Sequence, residues 1–166
     1  MSTDARTPQP SVRTCLWFDG RIDEAAAFYV SLLPNSRITS RSEYGHAHES
    51  PGGPSLAGQA LTVELELDGV PYQLLNGGPQ FPLSEAVSIS VMVEDQAEVD
   101  RLWEALVADG GAESQCGWCR DRFGLSWQIV PRRMLELLAG PRAEAVTAVM
   151  LTQTRLDVAA LEAAAR

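Results

Sequence analysis

Cys116-Gly117-Trp118-Cys119 is a C-x-x-C sequence, a spacing shared by dithiol redox centres and by halves of zinc sites. A redox pair needs a helix amino terminus to lower the first thiol's pKa, whereas this one reads as strand and hairpin, where residues i and i+3 point to opposite faces. A zinc site would need two further ligands, and the only histidines, His46 and His48, lie in a separate loop. A general base would be one of those histidines or a carboxylate such as Glu64 raised by burial. Three of the four tryptophans, Trp17, Trp118 and Trp127, fall in strand-like segments, and indole offers apolar area with one N–H donor. A flat or aromatic ligand would suit them; core packing is the alternative, above all for Trp127. In Ser126-Trp127-Gln128-Ile129-Val130, alternation puts Ser126, Gln128 and Val130 on one face. The Gln128 amide can donate to and accept from a polar ligand group, or satisfy a buried backbone group instead. Asn76 adjoins Gly77-Gly78, where small residues permit close approach to a ligand or simply form a turn.

The elements that must position these residues follow from periodicity and turn signals. Residues 14–18 read as a strand, and Ile22, Ala25, Ala26, Tyr29 and Leu33 recur at helical spacing, with Asp19 or Asp23 as the cap and Pro34-Asn35 as the stop. Strands follow at Arg37 to Glu43 and Leu61 to Leu67, then a two-residue hairpin at Asp68-Gly69 and a strand from Pro71 to Leu75. The loop from Gly45 to Pro54 is too rich in Gly and Pro for regular structure and is expected to act either as a lid or as a mobile connector unrelated to binding. The order then repeats: a strand within Ala86 to Glu94, a capping box at Asp95-x-x-Glu98, a helix carrying Val99, Leu102, Trp103 and Leu106, and three short strands ending near Val130. An offset of 74 places Phe28-Tyr29 on Leu102-Trp103 and Phe18 on Met92, which predicts a duplicated βαβββ module. Residues 1–11 read as a disordered leader, 12–131 as one domain of two modules (about 12–80 and 83–131), and 132–166 as a helical tail.

Thirteen Lys and Arg against 22 Asp and Glu leave a net charge of −9, which argues against nucleic acid and anionic lipid as partners. At 45% hydrophobic and 21% charged residues the 166-residue chain has the balance of a folded globular protein. No apolar run approaches the roughly 18–20 residues of a membrane span, the first fifteen residues lack a secretory apolar stretch, and three cysteines are too few to staple a secreted scaffold. A cytoplasmic location is expected.

Cys-Leu-Trp-Phe-Asp-Gly at 15–20, Leu75-Asn76-Gly77-Gly78-Pro79, and Gln115-Cys116-Gly117-Trp118 running into Asp121-Arg122-Phe123-Gly124-Leu125-Ser126-Trp127-Gln128-Ile129-Val130-Pro131 carry a resemblance. The sequence resembles the PhnB-like branch of the vicinal oxygen chelate superfamily, which also holds glyoxalases, extradiol dioxygenases and drug-binding resistance proteins; the resemblance spans about 12–131, with a similar helical tail. It implies an α+β fold of two βαβββ modules with curved sheets enclosing a pocket, plus carboxy-terminal helices. The superfamily's four metal-ligand positions fall at Thr14, Gln73, Ser88 and Gln128, with Thr14 and Gln73 each open to a shift of one. Neutral Thr, Gln and Ser are weak ligands for a divalent metal, so neither a metal nor another cofactor is expected.

Branch members often carry the label 3-demethylubiquinone 3-methyltransferase, yet no strand leads into the Gly-rich turn that S-adenosylmethionine needs. The resemblance therefore implies a metal-independent small-molecule binding protein of the bleomycin resistance type, with Trp17, Asn76, Ser88, Cys116, Trp118 and Gln128 as the ligand set. A lyase, isomerase or oxygenase on the same fold is the alternative. The apolar tail positions Val146, Val149, Met150, Val158 and Leu161 suggest a homodimer.

Overall fold

The computed structural model describes residues 11–45 and 55–166. The expected leader and loop, with His46 and His48, lie outside the described residues, apart from the leader's last residue, Ser11, and the loop's first, Gly45. The chain divides into two units, Met1–Pro82 and Leu83–Arg166. Unit 1 runs β1 (Thr14–Phe18), α1 (Ile22–Leu32), β2 (Arg37–Glu43), β3 (Ala60–Leu67) and β4 (Val70–Asn76), with sheet order β1-β4-β3-β2. Unit 2 repeats the plan with β5 (Ser88–Val93), α2 (Gln96–Val107), β6 (Ala112–Glu113), β7 (Trp118–Arg120) and β8 (Ser126–Pro131), ordered β5-β8-β7-β6. Three helices follow in unit 2: α3 (Arg132–Leu138), α4 (Ala143–Met150) and α5 (Val158–Ala164). The fold is α+β, two βαβββ modules and a helical tail.

In unit 1 the helical repeat buries Ile22, Ala25, Ala26, Tyr29 and Leu32. The matching sheet face presents Leu16 and Phe18 from β1, Val63, Leu65 and Leu67 from β3, and Leu74 from β4. Asp68 and Gly69 both take left-handed φ (46° and 78°), the backbone of a type I′ turn whose twist suits a two-residue hairpin. The start of α1 departs from expectation: neither Asp19 nor Asp23 caps it. Gly20 and Arg21 are both left-handed and lead the chain into the helix, the Gly20 N–H donates to Asn76 Oδ1 (3.0 Å), and Asp23 pairs with Arg41 (2.7 Å). Asp23 and Glu24 in the first turn still favour the positive helix end.

In unit 2, Asp95 caps α2 by accepting from the Glu98 N–H (3.0 Å), but the reciprocal half of the capping box is replaced by a Glu98–Arg101 ion pair (2.8 Å). Val99, Leu102, Trp103 and Leu106 pack with Ile89, Val93, Leu125, Trp127 and Ile129 in the buried interior. The β7–β8 turn is organised by Asp121, 1% exposed, whose carboxylate accepts from the Phe123 N–H (2.8 Å), the Leu125 N–H (3.1 Å) and the Trp127 indole (2.8 Å). Three donors compensate the burial of one charge, which explains why the aspartate and the indole share this motif. In the tail, Met134, Val146, Leu156 and Leu161 form a cluster of their own, flanked by Val149 and Met150. Most of the apolar positions that suggest a homodimer are thus covered within unit 2; Leu135 and Leu151 are large tail side chains that stay exposed.

The repeat also needs correction. An offset of 74 superposes α1 on α2, but the strands superpose at 75, because three residues join β1 to α1 and only two join β5 to α2. The buried counterpart of Phe18 (4% exposed) is Val93 (5%), while Met92, half exposed, lies on the opposite face.

Two outcomes follow from this packing. Asp121→Asn would set an amide N–H against the Trp127 indole N–H, and urea unfolding should show a loss of about 1–3 kcal/mol. Burial, with Asp121 and Glu113 adding to it, pushes the Cys119 thiol up to about 12, so it holds almost no thiolate at pH 8. Iodoacetamide labelling read by peptide mass spectrometry should therefore modify exposed Cys15 in the folded protein and Cys119 only after denaturation; equal labelling rates would contradict the buried geometry.

Candidate ligand-binding faces

Strand alternation leaves each sheet one face turned away from its crossover helix, and the side chains on these faces decide what each unit can bind. In unit 2 that face carries Ser88, Ser90 and Met92 from β5, Gln128 and Val130 from β8, and Trp118 from β7. The Gln128 amide Nε2 donates to Ser88 Oγ (2.8 Å), and Trp118 is the direct cross-strand partner of Gln128. The structure therefore brings together three of the expected site residues. All three are partly buried, and neither Gln128 Oε1 nor the Trp118 indole N–H has a hydrogen-bond partner among the described residues. Half-buried apolar area beside one free acceptor and one free donor is the composition of a small-molecule contact surface.

The corresponding face of unit 1 has different chemistry. Cys15, not Thr14, pairs with Gln73 across β1 and β4; Thr14 pairs with Tyr72 and belongs to the helix-side register. Parallel pairing makes Gln73 the counterpart of Gln128, and the three-residue turn before α1 moves the Ser88 counterpart to Arg13. Glu64, across from Gln73, stands where Trp118 stands in unit 2; it pairs with Arg13 (3.1 Å) and accepts from Gln73 Nε2 (3.3 Å). Farther along, Arg37 pairs with Glu66 (2.7 Å).

A guanidinium at one expected ligand position, and glutamine N–H groups directed at Glu64 and Ser88, do not fit a divalent metal centre. Among the described residues no group of three His, Cys, Asp or Glu side chains is placed to hold one. Arg13 was missed by sequence reading, although its alternation with Cys15 and Trp17 carried the signal.

Trp17 lies on the same face as Cys15, with its indole N–H donated to the Gly78 carbonyl (2.7 Å) and its ring edge-on to exposed Phe81 (5.0 Å between centroids). A Cβ on Gly77 would come within 2.2 Å of the Trp17 ring, so the Asn76-Gly77-Gly78 stretch is small because the indole lies against it. Phe81, in a Pro-flanked segment without periodicity, gave no sequence signal. Asn76 is buried on the other side of the sheet, where its side chain accepts from the Gly20 N–H (3.0 Å), donates to the Ala60 carbonyl (3.2 Å) and lines the cleft at the carboxyl end of β1 and β4. Trp127 is fully buried core.

Cys116 is half-buried in a left-handed turn two residues before Trp118, and Cys119 faces the core; both thiols are free. No helix among the described residues is long and apolar enough to cross a membrane.

The family model described as 3-demethylubiquinone-9 3-methyltransferase matches residues 10–130, so the helical tail lies beyond the matched stretch. Among solved structures, the PhnB protein from Bacillus cereus is similar at 28% identity and a TM-score of 0.64, over 74% of this chain and 99% of that one. Protein PA1353 from Pseudomonas aeruginosa, at 22% identity and a TM-score of 0.59 over 74% of this chain and 98% of that one, shares the fold. No curated protein matches the chain.

The family's name implies a methyl donor of the S-adenosylmethionine kind, whose pockets form at the carboxyl ends of several parallel strands beside a Gly-rich turn. Each sheet here has a single parallel pair. At its carboxyl end in unit 1 the Gly20 N–H is taken by Asn76, and a cleft of about 320 Å³ is walled by Arg21, Asp23, Glu24 and Arg41, with Asp23 and Arg41 ion-paired. These residues do not fit that cofactor. The family match across most of the chain, together with the likeness to the PhnB protein, settles the family: the chain belongs to the one described as 3-demethylubiquinone-9 3-methyltransferase.

Proposed function

We propose that the protein binds a small, mostly apolar ligand without a metal, in the manner of the bleomycin resistance type, and that the Ser88–Gln128–Trp118 face of unit 2 makes the specific contacts. The observation that carries this reading is the pairing of an unpartnered indole donor with an unpartnered amide acceptor on adjacent strands. A ligand with an aromatic ring would lie against Trp118, and a single N–H or O–H on it would reach Gln128 Oε1, whose orientation the Ser88 bond fixes. The Trp17 ring of unit 1 offers apolar area alone, since its N–H already serves Gly78. Glu64, a carboxylate of the kind that could act as a base, is held by Arg13 and Gln73, which favours binding over acid–base chemistry.

N-phenyl-1-naphthylamine, neutral and aromatic with one N–H, is a suitable probe. Its fluorescence titration should saturate, unchanged by EDTA. Trp118→Ala should weaken binding about tenfold, as loss of a central aromatic contact does. Gln128→Ala should weaken it about threefold to tenfold, the range of one hydrogen bond. No saturation with the wild type, or undiminished affinity in Trp118→Ala, would overturn the reading.

A further inference from the structure

The residue before Trp118 is held by a part of the chain that lies beyond the family match. Cys116 and Gly117 are consecutive left-handed residues (φ 57° and 83°), a conformation that a cysteine adopts at a steric cost. Their N–H groups donate to the carbonyls of Gln153 (2.8 Å) and Thr154 (2.9 Å), in the segment between α4 and α5. Leu156, 1% exposed, lies so close to Gly117 that a Cβ there would come within 2.8 Å of its side chain. The Gly117 carbonyl in turn accepts from the Ile129 N–H (2.9 Å), next to Gln128. At the far end Gln96, at the start of α2, grips the segment from both sides: Nε2 donates to the Leu156 carbonyl (3.1 Å) and Oε1 accepts from the Val158 N–H (2.9 Å). Gln153 closes the return by accepting from the Asp157 N–H (3.0 Å).

We propose that Gln153–Leu156 is a strap, clasped by Gln96, that positions Trp118 against Gln128 and so shapes the ligand face; Gln96 is its positioning residue. As a claim about ligand recognition this rests on the binding function proposed above, whereas the positioning of Trp118 does not. The strap lies beyond the stretch that the family model matches, so it reaches Trp118 from outside the two modules. Preorganisation of the indole is the physical route: a ring already held in the bound orientation loses less freedom when a ligand arrives.

The test uses the full chain with 5-fluorotryptophan at all four positions, the ¹⁹F resonances being assigned by single Trp→Phe substitutions. In Gln96→Ala the Trp118 resonance should shift or broaden while those of Trp103 and Trp127, core residues of the same unit, stay in place, and affinity for N-phenyl-1-naphthylamine should fall about fivefold. Gln96→Glu, which turns a carboxylate toward the Leu156 carbonyl and Asp100 in place of the amide donor, should move the Trp118 resonance as Gln96→Ala does. If Gln96→Ala disturbs the core resonances, Gln153→Ala, which loosens the strap's return, supplies the same readout. A Trp118 resonance unmoved in a folded variant, with probe binding by the wild type intact, overturns the strap and leaves the binding function standing. A wild type that does not bind the probe, with Trp118 moved by Gln96→Ala, overturns the binding function and leaves the positioning of Trp118 standing.

Discussion

Parallel pairing of the first and last strands governs both units. A parallel neighbour cannot be reached by a tight turn, so the chain must cross over, and here the crossover begins with a helix that covers one sheet face. From β1 beside β4 and β5 beside β8 come the sheet orders, the helix-covered core and the identity of the face left to polar and aromatic residues. The same pairing places Gln73 and Gln128 at corresponding points, so comparison of the two units becomes a comparison of two chemistries built on one plan.

On that plan the units have diverged in charge. In the Arg13–Glu64–Gln73 set, an ion pair and a hydrogen bond donated by the Gln73 amide close on one carboxylate. The Ser88–Gln128–Trp118 set leaves polar atoms open beside an indole. Exposed ion pairs contribute little stability, so the first set is better understood as neutralising a face than as strengthening it.

Much of this was legible in the sequence. Strong alternation in β3, the Asp68-Gly69 turn and the helical spacing of α1 and α2 placed nearly all strands and both crossover helices, because each rests on local chemistry. What escaped was set by distant partners. The cap expected from Asp19 or Asp23 gave way to left-handed backbone at Gly20 and Arg21, tied to Asn76 more than fifty residues on. That the Asn76 amide bridges β3 and the turn before α1 could not be read from its neighbours in the sequence. The packing of the tail's apolar residues on one another was not legible either, because periodicity records that a face is covered and says nothing of what covers it.

The one-residue difference between the turns entering α1 and α2 also bears on how such halves can be recombined. Aligning the two modules without a gap brings helices into register and turns the strands inside out, exchanging the helix-covered face for the one turned away from the helix. A chimera that grafts β5 in place of β1 must therefore carry its own turn with it. Natural divergence after duplication would have faced the same rule, since a single insertion at that junction is tolerated only if the strand slides with it.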